Sequence, residues 1–254
     1  MKEEIKVRNV FGEELDVLLE GNEKAKEIII FVHGFGTDKN EGFSSFVDIS
    51  KAFQENYLII RYDASGYGKS EGEENEFQFQ KSAGDLDFII RYARRNYPNK
   101  AINIFAHSLG TFVVCLLSPY GIKRTVFTGA INLDLKLITS KLEKRILSKG
   151  GKVNKDSLSY YPRTSGETQV IGRDFWRTLE NVDMKMLLDE YSEKSRVVAY
   201  KSKDDEIVGS DCSFDEYRKI KTLKYYEIKG DHNFSNPMDR NNLIKEVKAF
   251  LNGK

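Results

Sequence analysis

The pattern of apolar and polar positions opens with two short strand-like runs, Ile5 to Val10 and Glu14 to Leu19, on either side of Phe11-Gly12-Glu13. Runs of that length around a glycine turn predict an antiparallel hairpin, here at one edge of a sheet. Ile28-Ile29-Ile30-Phe31-Val32 behaves differently: five apolar residues in a row, mostly β-branched, as a central strand covered on both faces requires. Leu58-Ile59-Ile60 repeats it. Leu86, Ile89, Ile90, Ala93 and Tyr97 then fall at helical spacing and stop at Pro98-Asn99. Ile102, Ile104 and Phe105 make another buried strand, and Leu109 to Leu117 continues as an apolar stretch of helical length. Three more strand-like runs follow, Arg124 to Thr128, Arg196 to Tyr200 and Leu223 to Ile228, before Leu243, Val247 and Phe250 stripe a terminal helix. Strands alternating with helices predict the α/β class: a mainly parallel, doubly wound sheet with an amino-terminal hairpin, whose sites lie at the carboxyl ends of its strands.

The alternation is interrupted between Gly129 and Arg196, a connection far longer than α/β folds use. Within it Leu135, Ile138, Leu142 and Ile146 make one helical stripe, with Lys141, Lys144, Arg145 and Lys149 around it and Gly150-Gly151 as a stop. The basic residues suit a solvated face, with weak contact to an anionic membrane surface as the second reading. Farther on, Tyr160, Tyr161, Phe175 and Trp176 concentrate aromatic surface, suited either to lining a substrate pocket or to packing.

At 254 residues the chain is sized for one α/β domain over 1–254, with that insertion at about 130–195. Forty basic against thirty-nine acidic residues leave a net charge of +1, so no strong field points to nucleic acid. The charged start Met1-Lys2-Glu3-Glu4-Ile5 lacks a signal peptide's apolar core, and no stretch reaches the length of a membrane span, which predicts a cytoplasmic protein without stable membrane insertion. Cys115 and Cys212 have neither metal-like nor redox-like spacing and are expected as free thiols.

Chemistry concentrates where the apolar strand 102–105 gives way to the helix from Leu109. Ala106-His107-Ser108-Leu109-Gly110 departs from G-x-S-x-G only by a methyl group at its first position, and it places a serine on a turn tight enough to strain the backbone. A serine hydroxyl attacks only once a base removes its proton, and histidine is the usual base. Of the three histidines, His107 adjoins Ser108 and is expected to point away from it, and His33 belongs to the loop His33-Gly34-Phe35-Gly36. His232 follows the last strand and is left as the base. Its acidic partner is sought in Ser202-Lys203-Asp204-Asp205-Glu206, after the preceding strand, where the residues alone leave Asp204 and Asp205 open.

With these features in order, the chain resembles the α/β-hydrolases over nearly its whole length, and is similar to small lidded acyl and cinnamoyl esterases and to serine aminopeptidase-like hydrolases. The resemblance rests on the His33 to Gly36 loop, Asp63-Ala64-Ser65-Gly66-Tyr67-Gly68-Lys69-Ser70, the serine turn, Asp205-Glu206-Ile207-Val208 and Gly230-Asp231-His232. It implies catalysis by Ser108, Asp205 and His232, the acid being Asp205 because apolar residues follow it after one variable position. It further implies an oxyanion hole from the N–H groups of Phe35 and Leu109, a structural Asp63, and a lid in the insertion with Tyr160, Tyr161 and Trp176 toward the substrate. The implied activity is hydrolysis of a small carboxylic ester through an acyl-enzyme, with an acyl thioesterase or peptidase as the alternative and a non-catalytic binding protein of the same fold disfavoured. No metal or cofactor is implied.

Overall fold

The computed structural model describes residues 1–163, 166–208 and 215–253. Its centre is a sheet of eight strands among the described residues: β1 (Lys2–Arg8), β2 (Glu14–Gly21), β3 (Glu27–Val32), β4 (Leu58–Tyr62), β5 (Ala101–His107), β6 (Ile122–Thr128), β9 (Arg196–Ser202) and β10 (Leu223–Ile228). They lie in the order β1-β2-β4-β3-β5-β6-β9-β10. From β4 to β10 all pairings are parallel, and the amino-terminal hairpin is added antiparallel at one edge.

Successive residues of a strand face opposite sides, and both sides of this sheet are covered. Ile28, Ile30, Ile60 and Ile104 face one core, beneath α2 (Phe79–Asn96) and α3 (Leu109–Leu117). Ile29, Phe31, Ile59 and Phe105 face the other, against Phe46, Ile49 and Phe53 of α1 (Ser45–Phe53) and Leu243, Val247 and Phe250 of α8 (Pro237–Leu251). This two-sided burial is why the central strands carry unbroken apolar runs. Within the sheet, buried Arg61 of β4 donates to Glu20 of β2 at 2.8 Å.

Between β6 and β9 come α4 (Leu135–Ser148), the antiparallel pair β7 (Ser159–Pro162) and β8 (Thr168–Ile171), α5 (Arg173–Asn181) and α6 (Met184–Lys194). The insertion holds more than the helical stripe legible in the sequence. A β-hairpin forms part of it, with Tyr161 opposite Gln169. Its last helix, α6, belongs to the body: Leu188 and Tyr191 are fully buried, and the Tyr191 hydroxyl lies 2.6 Å from Thr125 Oγ1 of β6. A short helix α7 (Asp215–Lys219) precedes β10. Among the described residues no helix is long and apolar enough to cross a membrane. Cys115 is a free, buried thiol, whose ionisation burial pushes far upward; Cys212 lies outside the described residues.

Candidate active site

Ser108 stands between β5 and α3 at φ 51°, ψ −129°, a backbone region that costs an L-residue about 1–3 kcal/mol. Its N–H donates to Thr128 O of the neighbouring strand at 3.0 Å, which holds the turn against β6. Gly110 is obligatory there. A Cβ at that position would meet the carbonyl oxygens of Val32 and His33 at 2.5 and 2.6 Å, and backbone cannot give way as a side chain can.

The other two groups come from adjacent strand ends. Lys203 N–H donates to Ile228 O and Asp204 N–H to Gly230 O, so the loops after β9 and β10 continue the pairing of their strands. Across that junction Asp205 Oδ2 meets His232 Nδ1 at 2.8 Å, and His232 Nε2 meets Ser108 Oγ at 2.9 Å. The three side chains, 124 positions apart at the extremes, form one hydrogen-bonded line. Asp204 is exposed beside it. Asp205 Oδ1 accepts from the N–H groups of Ile207 and Val208 at 2.9 and 2.8 Å. Burial raises the cost of ionising Asp205, but the hydrogen bond and charge of His232 and those two N–H groups outweigh it and hold the carboxyl below its usual range. An ionised carboxylate on Nδ1 keeps the proton there and leaves Nε2 as an acceptor for the serine proton.

The other histidines are set apart. Ala64 N–H donates to His33 Nε2 at 3.0 Å, which leaves His33 Nδ1 to donate to Gly34 O at 2.8 Å, a structural bracing of the loop before Phe35. His107 lies under His232 with ring centroids 4.8 Å apart and pairs Nδ1 with Thr128 Oγ1 at 3.0 Å. Burial, aided by His232 and opposed by Glu41 and Asp205, pushes the His107 imidazole down to about 4. It is neutral at pH 7. The two rings leave no room at Gly129, where a Cβ would lie 2.5 Å from His107 Cε1 and 3.1 Å from His232 Cε1.

Ser108 and His232 open into a cavity of about 790 Å³ that Phe35, Leu109, Ile138, Leu142 and Ile207 also line. Leu109 is the first residue of α3, where a backbone N–H has no intrahelical acceptor. The Phe35 ring lies 4.4 Å from Phe175 of α5 and 5.5 Å from Phe77, which fixes its loop against the insertion. Glu41, with no signal in the sequence, is buried beside this loop and accepts from Gly34 N–H at 2.6 Å. Asp63 is structural: fully buried, it accepts from Lys39 Nζ at 2.7 Å and from Lys69 N–H at 2.9 Å. Of the three aromatics expected at the pocket, Tyr161 lies on its wall. Tyr160 and Trp176 do not. Tyr160 is 41% exposed on the opposite face of β7, and Trp176 is fully buried, edge-on to Phe175, with Nε1–H donating to Ser159 Oγ at 3.1 Å. Among the described residues no group of three His, Cys, Asp or Glu side chains is placed to hold a metal.

The family model described as "Serine aminopeptidase, S33" matches residues 23–222. No curated protein sequence matches the chain. Among solved structures, Est1E of Butyrivibrio proteoclasticus with ferulic acid bound superposes with a TM-score of 0.79 at 18% identity, covering 97% of each chain. The esterase domain of a Rhodothermus marinus protein gives 0.73 at 19% identity over 98% of this chain and 97% of the other. The Pyrococcus furiosus esterase Pf2001 gives 0.75 at 13% identity over 99% and 90%. At such identities the likeness is one of fold.

Proposed function

The chain belongs to the serine aminopeptidase family of α/β-hydrolases, and on that premise we propose that it is a serine esterase acting on a small or medium carboxylic ester. The single observation that carries this reading is the line from Asp205 through His232 to Ser108 Oγ. His232 Nε2 takes the Ser108 proton as Oγ attacks the ester carbonyl, and Asp205 stabilises the imidazolium that forms. The N–H groups of Phe35 and Leu109 donate to the oxyanion, each worth on the order of 3 kcal/mol in the transition state. The imidazolium then protonates the departing alcohol. Water, deprotonated by the same nitrogen, releases the acid and restores Ser108. These are proton and acyl transfers, which call for no cofactor.

The chain works as one unit in this reading, with α4, the hairpin and α5 as a lid over the cavity. The cavity falls within the range of small-molecule sites, about 300–1,000 Å³, and its apolar residues Ile138, Leu142 and Ile207 suit an acyl or aryl group. The esterase neighbours favour an oxygen ester over a thioester or peptide, which the same residues would also cleave. The test is a fluorophosphonate probe, followed by a panel of aryl, acyl-chain, thioester and aminoacyl substrates. The expected outcome is one label per chain at Ser108, none on Ser108→Ala, and the fastest turnover on oxygen esters. Labelling of Ser108→Ala at the wild-type level, or a folded wild type that takes no label, would overturn the assignment.

A further inference from the structure

The part of the cavity wall that the insertion supplies is basic. Lys141, Arg145 and Lys149 follow one another at four-residue steps on and just past α4, so they share a face, and all three line the cavity with Ser108 and His232. Lys136 and Lys144, on the same helix, are exposed and do not. Arg163, at the end of β7, joins the lining from across the hairpin. Its guanidinium lies over the Tyr161 ring, 5.0 Å from the centroid, and the Lys149 ammonium lies 5.5 Å from the same centroid. Arg163 also donates to Gly36 O at 2.8 Å, which brings its charge beside the loop of Phe35.

Cations gathered on one wall repel one another, and the Lys149 ammonium registers it: partial burial and the charges of Arg145 and Arg163 hold it below its ordinary range. Carboxylates line the cavity too, and three of them accept from backbone donors. Glu41 accepts from the N–H groups of Gly34 and Gly42, Glu74 from Val170 N–H, and Glu206 from His232 N–H. Burial raises the Glu74 carboxyl, against the hydrogen bond from Val170 and the nearby charge of Arg163. Glu167, on the turn between β7 and β8, is the fourth.

We propose that Arg145, Lys149 and Arg163 form an anion subsite within the catalytic cavity, and that the preferred substrate is an ester carrying a second, carboxylate group, such as a half-ester of a dicarboxylic acid. This rests on the esterase reading and narrows it. The chemistry is unchanged: the acyl C–O bond breaks, water gives its hydroxyl to the acyl carbon and its proton to the alcohol, and the remote carboxylate serves only to bind. A guanidinium pairs with a carboxylate through parallel N–H donors, which gives orientation as well as attraction.

The test compares esters matched in length. On the acyl side the p-nitrophenyl half-ester of adipic acid is set against p-nitrophenyl hexanoate. On the alcohol side the butanoate ester of 4-hydroxybutanoic acid is set against pentyl butanoate. In one pair at least, kcat/KM for the anionic member is expected to exceed that for the neutral one by about tenfold. Arg145→Gln lowers that ratio and Arg145→Glu inverts it, and added salt erodes it. A ratio at or below one in both pairs, or one that Arg145→Glu leaves in place, overturns the subsite while leaving the esterase intact. If the folded protein hydrolyses none of the four, the esterase reading has failed, and calorimetric titration with adipate decides the subsite alone. Binding by the wild type that Arg145→Glu abolishes supports it; no binding, or binding indifferent to the substitution, overturns it.

Discussion

Asp204 and Asp205 are adjacent and chemically identical, yet one is exposed and the other is buried against His232. Neighbouring residues of an extended turn project to opposite sides, so a single step along the chain separates a solvated carboxylate from one that orients an imidazole. Asp205→Asn is expected to lower turnover at least about a hundredfold, because the amide no longer stabilises the imidazolium and admits the wrong tautomer. Asp204→Asn should stay within about tenfold. Turnover of both variants on one aryl ester checks this, and the opposite ranking would move the acid to Asp204. The residues alone left that pair open, and the frame of apolar Ile207 and Val208 behind Asp205 has a counterpart in the structure, where their N–H groups turn back onto its carboxylate. Glu41 is the contrary case. Its burial and its bond to Gly34 depend on how the loop from His33 folds back, and nothing around it in the sequence distinguishes it from the many surface glutamates.

Elements with a long apolar period were legible, and short ones were not. The stripe Leu135, Ile138, Leu142, Ile146 marked α4 and Gly150 its end. The strands β7 and β8 have four residues each, too few for an alternation to stand out, and they gain definition only by pairing with each other. That pairing separates the aromatics of the insertion. Consecutive residues of β7 face opposite ways, so Tyr161 turns to the cavity while Tyr160 turns to solvent. Trp176→Ala is therefore expected to destabilise the fold by about 3–5 kcal/mol, as loss of a fully buried indole does, with little change in acyl-chain preference. Tyr161→Ala should do the reverse, shifting the chain-length profile more than the melting temperature. Melting curves measured beside a chain-length series separate the two, and a large change of profile in Trp176→Ala would return the indole to the pocket.

At the scale of the whole molecule, the site is stacked on a buried histidine whose proton affinity ties stability to pH. An unfolded chain protonates His107 near 6.5, whereas the folded one resists until about 4. Between those values the unfolded state holds the extra proton, so stability is complete above about 6.5 and falls as the pH drops toward 4, by on the order of 3 kcal/mol in total. Asp205, held low, adds its own loss only at still lower pH, as its carboxylate takes up a proton. His107→Asn is expected to flatten the limb between pH 6.5 and 4 in denaturant titrations, and an unchanged slope would remove His107 as its cause. The sheet that carries all this was readable, since strands buried on both faces must be apolar at every position and helices laid on them must repeat near 3.6, and both periods are written in the chain. So was Ser108, because a turn that strains one residue demands small neighbours at fixed offsets. These are local constraints, and sequence by itself determined them. The meeting of Ser108 with a histidine 124 positions away, the choice of which ring of the insertion faces the cavity, and the gathering of Arg145, Lys149 and Arg163 on one wall were decided only by the tertiary structure. Each depends on the direction of a side chain relative to a distant strand, and packing sets that direction after the local periods have been satisfied.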